Sequence, residues 1–110
     1  MTQDQQLIWN YLQNHANGST NKKTSDDIRT HCNLPAVGRT NEIIRFSITD
    51  MILNHGYIIA SDSHGYWIPN TSNEVQDVCK SLYDRADEIR QRADALKQNW
   101  NNANQNDQIP

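Results

Sequence analysis

The sequence has few of the residues that catalysis, metal binding or a membrane span requires. It contains two cysteines, four histidines and four glycines among 110 residues. Cys32 and Cys79 are far apart without paired-ligand spacing, which favours two buried free thiols over a disulfide or a zinc site. No apolar run approaches the roughly 18 residues of a membrane span, and the start, MTQDQQ, does not resemble a signal peptide. We therefore expect a cytoplasmic protein without membrane contact.

Catalytic constellations are also missing from the sequence. The histidines are scattered, and there is no glycine-rich phosphate loop and no group of residues with metal-ligand spacing. His31 and Cys32 are adjacent, but adjacent side chains diverge on a helix, so they do not form a metal pair. The sequence predicts no catalytic residue, no metal, no cofactor and no enzymatic activity.

The charge balance is mildly acidic. Ten Lys or Arg residues stand against 13 Asp or Glu residues, a formal net charge of -3, and residues 1–70 hold five cations and six acids, a net of -1. Such a chain has no general attraction to nucleic acid, so any binding to DNA must be local. The apolar share of 35% is low for a globular chain. Part of the chain is therefore expected to be solvated surface or tail.

The first half of the chain predicts three helices. Thr2 and Gln5 form a capping-box pattern before the first helix, which Gly18 would end. The apolar stripe of this helix comprises Leu7, Ile8, Tyr11, Leu12 and His15. Thr24 or Ser25 begins a second, short helix that turns Ile28 and Cys32 inward, and Asn33 and Pro35 stop it.

The third helix is the most apolar. Thr40 or Asn41 can cap it, and Gly56 ends it. Its predicted buried side comprises Ile43, Ile44, Ile48, Met51 and Ile52, widened by Phe46 and Leu53. After it, YIIAS is typical of a strand, DSHG of a turn and YWI of a returning strand closed by Pro69. Gly65 supplies a left-handed turn position, and His64 is expected to face solvent.

A long helix is predicted after the hairpin. Thr71 and Glu74 form another capping box, and the helix can run from Ser72 to Trp100. Its heptad seam, the expected oligomerisation surface, consists of Val75, Cys79, Leu82, Ala86, Ile89, Ala93, Leu96 and Trp100. Residues 101–110 are polar and are expected to form a disordered tail.

Cations flank this seam. Arg85, Arg90, Arg92 and Lys97 lie beside it, with acids on the outer face, and Asp87 to Arg90 or Glu88 to Arg92 can neutralise charge within the helix. In two identical helices packed side by side, the cations of one would face the cations of the other. An isolated homodimeric coiled coil is therefore disfavoured. The seam is better suited to another surface, such as the first helix of a second subunit. The alternative is that the helix folds back on its own domain.

The order of three helices and a hairpin, and the run RFSITDMILNHGYIIASDSHGYWI, resemble winged helix-turn-helix domains of bacterial regulators and Gram-positive phages. The residues that carry the resemblance are Arg45, Ile48, Met51, Gly56, Ile59, Ser61, Gly65 and Tyr66. It covers about residues 5–70. The resemblance implies an α+β, mainly α fold: a winged-helix domain over 1–70, a C-terminal helix over 71–100 through which such regulators dimerise, and the tail.

If the domain docks as such domains do, the third helix enters the major groove of double-stranded DNA. The candidates for contacts with base edges are Arg39, Thr40, Asn41 and Arg45, where an ion pair with Glu42 is the alternative role for Arg45. The candidates for phosphates are Lys22, Lys23 and the N–H groups of Thr24 and Ser25, with His64 at the hairpin tip. We expect a dimeric DNA-binding regulator or phage protein. The alternative is a winged-helix module of phage origin that binds another protein and not DNA.

Overall fold

The computed structural model describes residues 1–34 and 40–110, without the side chains of Thr40 and Asn41. Its elements are, in chain order, α1 (Gln3–His15), α2 (Ser25–His31), α3 (Thr40–His55), β1 (Ala60–Asp62), β2 (Gly65–Trp67) and α4 (Ser72–Ala103), with a short 3-10 turn at Ser19–Asn21. The fold is α+β and mainly helical, as predicted. The chain divides into two compact units, Met1–Val78 and Cys79–Pro110.

Three of the four predicted helix starts are confirmed by their caps. Thr2 and Gln5 exchange the two hydrogen bonds of a capping box, and so do Thr24 and Asp27 at the start of α2. At α4, the N–H of Glu74 donates to the Thr71 hydroxyl over 3.3 Å, and its carboxylate accepts the N–H of Thr71. These bonds use backbone donors that a helix start leaves without intrahelical partners. Short polar patterns in the sequence therefore locate three helix starts correctly.

The core of the first unit joins α1, α2, α3 and the hairpin. It comprises Ile8, Tyr11, Leu12, Ala16, Ile28, Leu34, Ile44, Ile48, Met51, Ile59, Ala60 and Trp67. Two members of the predicted α1 stripe, Leu7 and His15, are exposed instead. Gln5 is buried and donates to the Asp50 carboxylate on α3 over 2.8 Å. Its side-chain amide nitrogen also donates to the Ser47 carbonyl over 3.3 Å, so Gln5 joins α1 to α3 by polar contacts beside the apolar core.

The predicted buried side of α3 is too wide. Ile44, Ile48 and Met51 are buried, but Phe46 is 61% exposed and Leu53 is 74% exposed, and Ile52 is also exposed. Residues 46 and 53 lie about 160–180° around the helix from Ile44, since each residue turns about 100°. They therefore fall on the solvent face of the helix, and the expectation that they widen the buried stripe is wrong.

The hairpin is shorter than predicted. β1 begins at Ala60, three residues after the start of YIIAS, and the Tyr57 N–H donates to the Met51 carbonyl of α3. β1 and β2 are antiparallel, with Ala60 opposite Trp67 and Asp62 opposite Gly65. Ser63 and His64 form the turn, as the sequence predicts.

A further segment, between α1 and α2, pairs with the hairpin. Lys23 and Tyr66 exchange backbone hydrogen bonds of 2.9 and 2.8 Å, and Gly18 donates its N–H to Ile68 over 2.8 Å. Gly65 lies under this segment, with backbone φ of +146°, and a Cβ built on it would be 2.6 Å from the Lys23 carbonyl oxygen. Nothing in the local sequence of residues 18–23 predicts this pairing.

Glu74 connects the first turn of α4 to the loop after α1. Its carboxylate accepts the N–H of Ser19 over 2.9 Å and also those of Asn70 and Thr71. The bonds from the Asn70 and Ser19 amides lower the pKa of Glu74, although partial burial opposes them. The ionised carboxylate is therefore favoured in the folded state.

The Glu74 contact predicts an acid-sensitive stability. Because the folded-state pKa is lowered, the stabilisation is present above the ordinary glutamate pKa and is lost as pH falls through the folded-state value. We expect the Tm to fall between about pH 5 and about pH 3, and Glu74→Gln to flatten that fall. Thermal unfolding followed by tryptophan fluorescence measures it. Glu88→Gln, on the exposed part of α4, is the control, and an equal flattening there would contradict the assignment.

The second unit consists of the rest of α4 and the C-terminal residues. The helix continues three residues beyond its expected end at Trp100. The residues after it fold back, since the Trp100 indole N–H donates to the Asp107 carbonyl over 2.7 Å and the Ile109 N–H donates to the Asn101 side chain over 2.8 Å. Both cysteines are free, but Cys79 is exposed, so the expectation of a buried thiol is wrong there. No helix in the described part of the chain is long and apolar enough to cross a membrane.

Candidate nucleic-acid interface

The expected DNA-contacting residues lie in three places of the first unit. Arg45 is on α3, His64 is at the hairpin tip, and residues 22–25 join α1 to α2. Arg39 lies outside the described residues. The side chains of Thr40 and Asn41 do as well, so their predicted base contacts stay predictions.

Arg45 lies on the solvent face of α3. Its side chain is 61% exposed, with Nη2 3.9 Å from Glu42 Oε1 and the guanidinium carbon 5.4 Å from the centre of the Phe46 ring. The alternative role for Arg45, an ion pair with Glu42, is therefore present. Exposed pairs of this kind contribute about 0.2–1 kcal/mol, so the guanidinium is easily redirected to another anion. Arg45 is accessible but partly neutralised.

Lys22 is attached to the hairpin. Its ammonium forms an ion pair with Asp62 of β1 and lies 4.6 Å from the centre of the Trp67 ring, a cation–π contact. Burial raises the pKa of Asp62, but the hydrogen bonds from Lys22 and from the His64 N–H outweigh it and lower the pKa below its ordinary value. Lys22 thus stabilises the hairpin, and its charge is partly neutralised by Asp62, so its attraction for a phosphate is weaker.

The N–H of Thr24 is not free, although the sequence suggested it as a phosphate donor. It donates to Asp27 Oδ2 over 3.1 Å, and the Thr24 hydroxyl accepts the Asp27 N–H in return. Ser25 is the first residue of α2 and is half-buried. Beside it, the backbone N–H and carbonyl of Lys23 are both hydrogen-bonded to the backbone of Tyr66. The segment therefore lies beside the hairpin, joined to it by the backbone bridge between Lys23 and Tyr66.

His64 is at the exposed tip of the hairpin. Its backbone N–H donates to Asp62 Oδ1 over 2.8 Å, a local bond that shapes the turn. Its imidazole has no hydrogen bond in the described part of the chain and points away from the core. The tip is therefore a polar turn with one accessible ring, as the sequence predicts.

Other sites in the described residues offer less. No group of three or more His, Cys, Asp or Glu side chains there could hold a metal ion. A shallow cleft of about 450 Å³ is lined by Trp9, His55, Gly56, Tyr57, Ile58, Ile68 and Pro69. The imidazole in the lining, that of His55, has its Nε2 atom 3.3 Å from Oδ2 of Asp50, which lies outside the lining. The lining itself is mainly apolar and contains no cysteine, serine or acidic residue.

Sequence reasoning missed one residue that shapes this surface. Asp62 of the hairpin forms an ion pair with Lys22, which no local pattern indicates, whereas the pairing of Glu42 with Arg45 was found from its spacing of three residues along a helix. Comparison with models of protein families, with curated proteins and with solved structures gives no match. The resemblance to winged-helix domains therefore stays a prediction.

Proposed function

We propose that this chain is a DNA-binding winged-helix protein, a small transcriptional regulator or phage protein, in which α3 enters the major groove. The observation that carries the proposal is the solvent face of α3, with exposed Arg45, in the same compact unit as a hairpin whose tip exposes His64. Three helices followed by such a hairpin suit a docking in which a helix reads bases and a wing lies against the backbone.

The carboxylates set how tightly this surface binds. Glu42 beside Arg45 and Asp62 beside Lys22 each cancel a cation near the proposed interface. Few phosphates can then be neutralised by one copy of the chain, so binding should resemble non-specific binding, with a Kd of about 10⁻⁴–10⁻⁶ M. Affinity should fall as salt rises, because phosphate contacts release counterions.

The Arg45–Glu42 pair gives a two-sided test. We expect Arg45→Ala to weaken binding and to lower the slope of log affinity against log salt by about 1, because a phosphate or base contact is lost. Glu42→Gln should strengthen binding, because it removes the competing carboxylate. Fluorescence anisotropy of a labelled random-sequence duplex, at about 50 to about 200 mM salt, measures both.

Lys97→Ala, which removes a cation from the second unit, is the matched control and should leave the affinity unchanged. The proposal fails if no duplex binds at the lowest salt. It also fails if Arg39→Ala combined with Arg45→Ala leaves the affinity where it was.

A second candidate is a winged-helix module that binds another protein. It is favoured by Phe46, Ile52 and Leu53, which expose apolar surface along the same face of α3. In a helix that binds the major groove, apolar side chains make few contacts with bases other than those with thymine methyl groups. Under this second proposal no duplex binds at any salt concentration, so the same anisotropy experiment separates the two.

A further inference from the structure

In the second unit, the seam of α4 is an apolar stripe with much of its surface exposed. Leu82 is 49% exposed, Ile89 is 50% exposed and Leu96 is 70% exposed, and none of the residues of α4 is buried. Apolar residues at alternating spacings of three and four are the pattern that packs against another helix. Packing this stripe against a partner would stabilise the 32-residue helix more than exposing it to water.

The edges of the stripe are cationic. Arg85 and Arg92 follow one edge, and Arg90 and Lys97 follow the other. The ion pair found along α4 joins Lys80 to Asp84 over 2.7 Å on the outer face. The pairs expected from sequence, Asp87 with Arg90 and Glu88 with Arg92, are not formed among the described residues, and neither edge has another ion pair there. The four edge cations are therefore available to an anionic surface.

A second copy of α4 is a poor occupant in either orientation. In a parallel pair, Arg85 would face Arg90 of the other copy and Arg92 would face Lys97. In an antiparallel pair each edge would face its own counterpart, so that Arg85 would approach Arg92. Like charges at these positions oppose pairing. The edges therefore select against a bare homodimer through this seam.

We infer that the α4 seam binds an amphipathic helix of another protein whose apolar stripe is flanked by Asp or Glu. Ala86 and Ala93 in the stripe allow the close approach of a helix. The same small residues make the stripe a poor anchor for a lipid surface, where binding scales with buried apolar area. All of the seam except Val75 lies in the second unit, so this inference is independent of DNA binding by the first.

Two synthetic peptides test the inference on the full chain. Both carry leucine at the seam positions of four heptads, and they differ only at the flanking positions, which are glutamate in one and lysine in the other. Calorimetric titration should show the glutamate peptide binding about tenfold more tightly or better, since each exposed ion pair adds little but four act together. The preference should shrink as salt rises.

Two variants show whether the seam and its edges are responsible. Ile89→Asp should abolish binding of the glutamate peptide, and circular dichroism checks that α4 stays helical. Arg85→Glu combined with Arg92→Glu should abolish the preference between the two peptides, because the two new carboxylates balance Arg90 and Lys97 on the other edge. Equal affinities of the unmodified chain for both peptides would overturn the inference.

Self-association and lipid binding are the competing outcomes. A parallel in-register homodimer would place the exposed Cys79 of one copy beside Cys79 of the other, so mild oxidation would link the copies. Efficient linking, together with a dimer in analytical ultracentrifugation that Ile89→Asp dissociates, would overturn the inference. Tight binding to anionic vesicles by the full chain, lost in Ile89→Asp, would overturn it as well. A monomer that binds the glutamate peptide supports it.

Discussion

Gly65→Ala is expected to lower the free energy of unfolding of the first unit by about 2–6 kcal/mol. The backbone φ of +146° at this position is strained for any residue with a side chain, at about 1–3 kcal/mol. The new Cβ would also lie 2.6 Å from the Lys23 carbonyl oxygen, and overpacking of this kind costs about 1–3 kcal/mol. Because the nearest atoms belong to the Lys23 backbone, the clash can be relieved only if the segment at Lys23 moves away from the hairpin.

Gly56→Ala is the matched control for this prediction. Its φ is +72°, so alanine is strained there too, but nothing lies within 4 Å of its Cβ position. We expect a loss of about 1–2 kcal/mol, the cost of a left-handed residue alone. Urea unfolding followed by the fluorescence of the buried Trp67 measures both variants. Equal losses would show that the Lys23 segment does not pack on Gly65.

Ile44→Ala is expected to destabilise the first unit by about 2–5 kcal/mol. The side chain is fully buried, and its removal loses both the transfer of apolar groups out of water and the packing around the cavity left behind. A domain of this size has a total stability of about 5–10 kcal/mol, so the variant should be close to unfolded at moderate urea.

Phe46→Ala, two residues away on the same helix, tests which face of α3 is buried. Its ring is 61% exposed, so its loss should change the stability by no more than about 0.5 kcal/mol. A larger aromatic residue is removed here than at Ile44, yet the smaller effect is expected. The reverse order in urea unfolding would mean that α3 is turned by half a revolution. The face proposed to meet DNA would then be the wrong one.

The effect of Phe46→Ala on binding also distinguishes the two candidate functions. If α3 reads DNA, Phe46→Ala should alter affinity without altering stability, because its ring lies against the Arg45 guanidinium. If α3 binds a protein, Phe46, Ile52 and Leu53 are the apolar centre of that contact. Stability and binding therefore need to be measured on the same variant.

The order of elements, three of the helix starts and the hairpin turn could be predicted from the sequence. Thr2, Thr24 and Thr71 lie three residues before side chains that complete their caps, so each start is specified within four residues of chain. Gly65 and the Asp62 turn are equally local. The heptad seam of α4 was visible for the same reason, since a single helix brings its own residues to one face whatever surrounds it.

The exposed side of α3 could not be predicted, because an apolar-rich helix fits its core in more than one rotation. Phe46 and Leu53 were expected to be buried, and the packing of Ile44, Ile48 and Met51 placed them in water. The start of β1 was also missed, and Tyr57, the first residue of the predicted strand, donates its N–H to the Met51 carbonyl of α3.

The sequence by itself determined where this chain turns, where its helices begin and where α4 carries its apolar stripe and cations. Those features depend on residues a few positions apart. Only the tertiary structure decided that Lys23 pairs with Tyr66, that Asp62 holds Lys22, and which face of α3 is open to a partner. Each of these depends on residues about 40 positions apart or on competition among apolar side chains, and no local pattern encodes either.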